Sequence, residues 1–137
     1  MDRSQDVLHI SASGLRAQSA RMRIIAENLA NADSAARTPD ANPYQRQIPV
    51  FSAELDRTIG ARMARMNDVK LDESDFRRVY EPGHPGADNE GYVRYPNVSS
   101  LIELMDMREA QRSYEANLTM IENSRRMLER TLDLLRR

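Results

Sequence analysis

Two histidines, His9 and His84, are the only side chains of this 137-residue chain that ordinarily titrate near neutral pH. Neither has a partner histidine or a cysteine at the spacing a metal ion needs. The chain has no cysteine at all, which excludes a disulfide framework, a thiolate zinc site and a thiol nucleophile. Paired carboxylates could do acid–base work. However, Glu103, Asp106 and Glu109 fall in a charged helical stretch, where a solvated face or an interface pair accounts for them better. Gly83 and Gly86 sit beside prolines and open no helix, so no phosphate-cradling loop is present. No catalytic, cofactor or metal site is expected.

The elements that would position any site are more informative. Residues 7–32 and 98–136 each read as one long amphipathic helix with a large apolar residue at every seventh position. In the first the series is Leu8, Leu15, Met22 and Leu29, followed three residues on by Ser11, Gln18, Ile25 and Ala32. In the second it is Met107, Tyr114, Ile121, Leu128 and Leu135, followed by Ala110, Asn117, Ser124 and Thr131. A seven-residue repeat keeps one seam facing a partner along a helix. Both seams are narrow and only partly apolar, so such helices are marginal alone and stable when packed against one another. The expected role is assembly, through Leu8, Leu15, Met22, Ile25, Asn28, Leu29 and Asn31 on the first helix. On the second it runs through Met107, Tyr114, Asn117, Leu118, Ile121, Leu128 and Leu135.

The first helix is expected from near Ser4 to near Asn31, about 40 Å at 1.5 Å per residue. Gly14 and its neighbours Ala12, Ser13, Ala17, Ser19 and Ala20 are small, a run that can let another helix come close and can also be a weak spot in the helix. Asn28 to Ser34 closes the helix, since Asn tolerates turn geometry. Residues 34–47 read as loop. In the middle, 48–51 reads as an edge strand because of Pro49. Residues 52–66 read as a helix from Leu55, Ile59, Met63 and Met66, and 69–71, 77–80 and 92–95 as short strands with a turn at 81–86. Asn97 is placed to cap the last helix, and Ser100 with Glu103 has capping-box spacing. That helix has no internal Gly or Pro and would be roughly 55–60 Å long. The fold class is therefore mainly α: two long terminal helices pairing as a coiled-coil-like layer, with a small, partly β middle. Residues 1–33 and 98–137 form a discontinuous helical domain, and 34–97 a loop plus a β-containing region.

Composition agrees. Hydrophobic residues are 40%, aromatics 5%, and there is no tryptophan, so a core of ordinary density would be hard to fill. Charged residues are 30%, yet the net charge is −1. Four Arg balance four acids over 1–33, and seven balance seven over 98–137. No basic stripe offers itself to nucleic acid. Lys70 is the only lysine, and Arg favours bidentate interface pairs, although coding bias explains the excess equally well. Met105, Met107, Met120 and Met127 give the last helix an adaptable packing surface, chiefly for a core. Asn117 in its seam either fixes register or faces solvent. The first residues lack a basic region followed by an apolar run, so no cleaved secretory signal is expected. No apolar run is long enough to span a membrane.

Ser11-Ala12-Ser13-Gly14-Leu15-Arg16-Ala17-Gln18, followed by Asn28-Leu29-Ala30-Asn31-Ala32-Asp33, resembles the N-terminal signature of flagellar rod, hook and filament-type axial proteins. Within that family, several stretches resemble proximal-rod subunits. These are Pro43-Tyr44-Gln45-Arg46, Tyr80 to Pro85 with Ala87-Asp88, Gly91 to Val98, and Arg112 to Asn117. The resemblance covers almost the whole chain. Residues 39–43 lack the glycines common in this loop, and Ser99-Ser100 stand where Asn or Asp is more usual. The resemblance implies a structural subunit of the bacterial flagellar basal-body rod, the hollow drive shaft that transmits torque. It implies export through the flagellar type III channel and stacking into a helical tube in the periplasm, with terminal helices inside and the middle region outside. Implied partners are copies of itself, other rod proteins, the adaptor between rod base and MS ring, and the export gate. Docking is expected to order poorly ordered ends. Alternatives are another axial subunit, a cytoplasmic coiled-coil adaptor or export chaperone, and an enzyme subunit with oligomerisation helices. The adaptor fits the Pro/Gly-rich middle poorly, and the enzyme reading lacks a convergent nucleophile, base and oxyanion donors.

Overall fold

The computed structural model describes residues 3–136. The chain is mainly α, with two long terminal helices and short strands between them. α1 spans Arg3–Ala30 and α2 spans Ser100–Leu135. Between them lie β1 (Gln47–Asp56), β2 (Ala61–Leu71), β3 (Arg77–Tyr80) and β4 (Tyr92–Tyr95). The 36 residues of α2 give a helix of about 54 Å at 1.5 Å per residue.

The helix expected at 52–66 is instead strand, turn and strand. β1 and β2 form a two-stranded sheet joined by residues 57–60. The physical reason lies in the turn. Asp56 Oδ1 accepts from the Thr58 amide at 2.8 Å, and Gly60 takes a φ of +65°, a geometry other residues adopt at a cost. Ile48 and Val50 in β1 and Val69 in β2 add β-branched weight, and strand pairing overrides a short run with helical spacing. Pro49 is tolerated because each strand of a two-stranded sheet keeps one unpaired edge.

The chain divides into two compact units, one of Met1–Met22, Val50–Asp68 and Arg108–Arg137, the other of Arg23–Pro49 and Val69–Met107. In the first, the buried residues are all small: Ser11, Ser13, Ala17, Ala110 and Ser124. Large side chains do not fill its interior; the helices approach closely instead. Ser13 Oγ accepts from the Ala64 amide at 3.2 Å, which ties α1 to β2.

The second unit has a more ordinary core of Ile24, Ile25, Ala32, Ala36, Val93, Pro96 and Val98. β3 and β4 pair antiparallel with Val79 opposite Val93 and Tyr80 opposite Tyr92. The loop after α1 has no regular structure, and Arg94 of β4 holds it. Its guanidinium donates to Asn42 Oδ1 at 3.0 Å and to the carbonyls of Pro39 and Ala41 at 3.2 and 2.5 Å. Its own carbonyl accepts from the Ala36 amide at 3.0 Å.

Candidate functional site

Neither histidine gathers chemistry around it. His9 is exposed, and His84 Nδ1 accepts from the Gly86 amide at 2.9 Å, a turn contact. Among the described residues no group of three or more His, Cys, Asp or Glu could hold a metal ion. Among the described residues no helix is long and apolar enough to cross a membrane.

The densest polar site is inside the second unit. Asn28, on the last turns of α1, is 1% exposed and uses its whole amide. Its Nδ2 donates to the Gln47 carbonyl at 2.8 Å and to Glu103 Oε2 at 3.3 Å. Its Oδ1 accepts from the Gln47 amide at 2.9 Å and from the Tyr44 hydroxyl at 2.8 Å. Asn28 therefore pairs with Gln47 as a neighbouring strand would, at the point where β1 begins.

Glu103 is also 1% exposed. A solvated face or an interface pair, and capping-box spacing with Ser100, are expected for it; the side chain is neither solvated nor part of a capping box. The carboxylate turns inward and accepts from Nε of Arg46. The turn is closed by a main-chain bond instead, from the Glu103 amide to the Ser99 carbonyl at 3.0 Å. A buried carboxylate needs a charged partner, and Arg46 satisfies that need. Arg46 also reaches Asp72 at 3.3 Å and Asp106 at 3.7 Å. Burial works against its charge, but the bonds to Glu103 and Asp72 outweigh burial and hold the guanidinium above its ordinary value. The Ser74 amide and hydroxyl, with Arg46, hold the Asp72 carboxyl below the usual range. Burial, then Glu27 and Glu103, push the Tyr44 phenol up.

Asn97 does not cap α2. It is spent on this cluster, accepting from the Arg46 amide at 2.8 Å and donating to the carbonyls of Asp72 and Ser74 at 2.9 and 3.1 Å. Sequence reasoning missed Arg46, Asp72 and Tyr44 as a set, because their partners lie 16 to 60 residues away. The one available signal was the run Pro43-Tyr44-Gln45-Arg46.

The seam residues divide between the units. Ile25 is buried, and Leu29, Asn31 and Met107 are half-buried in the second unit. Asn31 Nδ2 donates back to the Glu27 carbonyl at 2.8 Å, closing α1. In the first unit Leu8, Leu15, Met22, Tyr114, Asn117, Ile121 and Leu128 are half-buried. Leu118 and Leu135 are exposed, at 41% and 79%. Gly14 faces Asn117, and Arg21 reaches Glu109 at 3.5 Å, so within this unit the helices run antiparallel. Leu132, Leu134, Met120 and Met127 are at least half exposed on α2. That is far more apolar surface than a helix facing only water carries.

Comparison with known proteins points the same way. The family model for flagella basal body rod proteins matches residues 8–35. The model for the C-terminal part of flagellar basal body rod FlgEFG proteins matches residues 89–134. The flagellar basal-body rod protein FlgC of Agrobacterium fabrum is 46% identical over 136 residues, covering 99% of this chain and 98% of that protein. The FlgC proteins of Aquifex aeolicus and Bacillus subtilis are 39% and 38% identical, each over 93% of this chain and 94% and 95% of their own lengths.

Proposed function

Because this chain belongs to the FlgC family of flagellar basal-body rod proteins, we propose that its exposed helix faces are the surfaces by which it is built into the rod. The protein is a structural subunit of the flagellar basal-body rod and is located there. It assembles with other basal-body components. The finer reading is that it occupies the proximal rod, in the periplasm, after export by the flagellar type III system. There it stacks with copies of itself and other rod proteins into a hollow shaft that transmits torque. Its base would contact the MS-ring adaptor and the export gate. Its work is mechanical and needs no catalytic step.

The observation that carries this reading is the amount of apolar side chain that α2 leaves exposed in the first unit. Burying one leucine or methionine stabilises by about 1.5–3 kcal/mol, so leaving Leu118, Met127, Leu132 and Leu135 in water is costly unless neighbours cover them. The second unit supplies the counterpart, an interior closed by charge pairs that holds its shape under load.

The test is to express Leu118→Asp and Leu135→Asp chains in cells lacking their own copy. Both residues are exposed, so the purified variants keep their helicity while rods fail to complete and swimming stops. Complete rods and normal motility with both changes overturn the reading.

A further inference from the structure

Two features of the first unit lack partners. One is an overhang. α1 and α2 run antiparallel through Gly14 with Asn117 and Arg21 with Glu109, and in that register Arg3 stands level with about Leu128. The α2 seam continues beyond it through Thr131 and Leu135 with no α1 residue opposite among the described residues. Leu132, Leu134 and Leu135 are 60%, 74% and 79% exposed there. Glu129 and Asp133 flank these leucines, and among the described residues neither makes an ion pair.

The other feature is a cleft of about 530 Å³ between α1 and the β1–β2 hairpin. Ile10 and Phe51 form its apolar walls, each 39% exposed, with Met63 beside them. Gln18 also lines it, and its Oε1 is buried with no donor among the described residues. An adjoining hollow shares Ser13 and Met63 and adds Arg16 and Arg57. Arg65 is paired with Glu54 at 2.8 Å, but Arg16 and Arg57 make no ion pair among the described residues. An apolar cleft with Arg62 in its own lining, Arg16 and Arg57 in the hollow beside it and an orphaned acceptor in its wall is the complement of the overhang: leucines flanked by two carboxylates, with arginines nearby.

We propose that the last two turns of α2 from one copy seat in this cleft of a second copy. Leu132 and Leu135 pack on Ile10, Phe51 and Met63, Glu129 and Asp133 face Arg16 and Arg57, and Arg130 or Arg136 donates to Gln18 Oε1. Plug and socket occupy different parts of one unit, so a docked copy still offers a free plug and a free socket. The contact is head-to-tail and propagates. This inference rests on the reading of the chain as a rod subunit that meets copies of itself.

The native chain contains no cysteine, so an introduced pair reports one contact cleanly. Phe51→Cys and Leu135→Cys chains are co-expressed in cells lacking their own copy, and the basal bodies are oxidised. A Phe51–Leu135 linked dimer is expected, and a ladder from the double variant. Adding Glu129→Arg with Asp133→Arg lowers the yield by about tenfold, and Arg16→Glu with Arg57→Glu on the partner restores it. No dimer in cells that swim, or no restoration by the reversed charges, overturns the plug and socket while the rod reading stands. Absence of the unaltered chain from purified basal bodies overturns the rod reading itself.

Discussion

The amide of Asn117 occupies the space that a side chain at Gly14 would need. A Cβ built on Gly14 would lie 2.6 Å from Asn117 Oδ1 and 2.8 Å from its Cγ. Asn117 cannot easily withdraw, because its Nδ2 donates to the Ser113 carbonyl at 2.9 Å within its own helix. The glycine is therefore where one helix meets the other, and the polar seam residue is what it meets.

Gly14→Ala should destabilise the chain despite a gain of about 1 kcal/mol in helix propensity. Overpacking of this kind costs roughly 1–3 kcal/mol. Adding Asn117→Ala removes the clash, so the double variant should be more stable than Gly14→Ala alone. Urea unfolding of the two variants checks the order; equal stability would show that the close approach is unimportant.

Asn28→Ala strips the Gln47 amide and carbonyl of their bonds to the Asn28 side chain and frees the Tyr44 hydroxyl. Each buried group left without a partner costs about 1–3 kcal/mol, so a loss of several kcal/mol is expected in chemical denaturation. Asn28→Asp should fare no better, because it loses the donor and places a second carboxylate 3.3 Å from Glu103.

Glu103→Gln leaves the Arg46 guanidinium without its most buried partner, and breaking such a pair costs roughly 3–5 kcal/mol. Arg46→Lys should be nearly as damaging. An ammonium cannot span Glu103, Asp72 and Asp106 as the planar fork does. Thermal unfolding separates these outcomes from the sub-kilocalorie effect expected at the exposed Arg65–Glu54 pair.

Stability should fall at both ends of the pH scale. Asp72 is held below the ordinary carboxylate value of 3.8 by Ser74 and Arg46, and Asp88 by the Tyr92 amide, then Glu90 and Arg78. Their contribution is complete above that value and is lost as pH falls through the lower folded-state one. Tyr44, pushed up by burial, and Tyr95, pushed up by its bond to Glu81, act in the opposite sense. Their contribution is complete below pH 10.0 and is lost as pH rises through the higher folded-state value. Tyr44→Phe should flatten the alkaline limb of a pH-stability curve.

Hydrogen exchange on dilute chain should divide by unit. The second unit buries Ile24, Ile25, Val93 and Val98 and closes the Arg46 cluster, so its amides should exchange slowly. The first buries only small side chains, so amides of α1 before Met22 and of α2 after Arg108 should exchange fast until copies associate. Equal protection of both units would count against ordering on assembly.

The terminal helices were legible because a seven-residue repeat is a long signal, and β3, β4 and the turn at 81–86 because Pro, Gly and paired aromatics punctuate them. Residues 52–66 were misread because four apolar positions at helical spacing also suit two short strands, and only the Asp56–Thr58 and Gly60 geometry decides between them. Glu103 and Asn97 were assigned to a helix start on local spacing. Their true partners are Arg46, Asp72 and Ser74, and no local pattern encodes a contact across such distances in the chain.

Asn28 fastens to Gln47 by two opposed bonds, one given and one received, with Glu103 and Tyr44 held on the same amide. Bonds arranged side by side in this way share a shearing force and must fail together, whereas a ladder pulled from one end unzips rung by rung. In a subunit that works as part of a rod, the join between the end of α1 and the start of β1 therefore yields all at once or not at all.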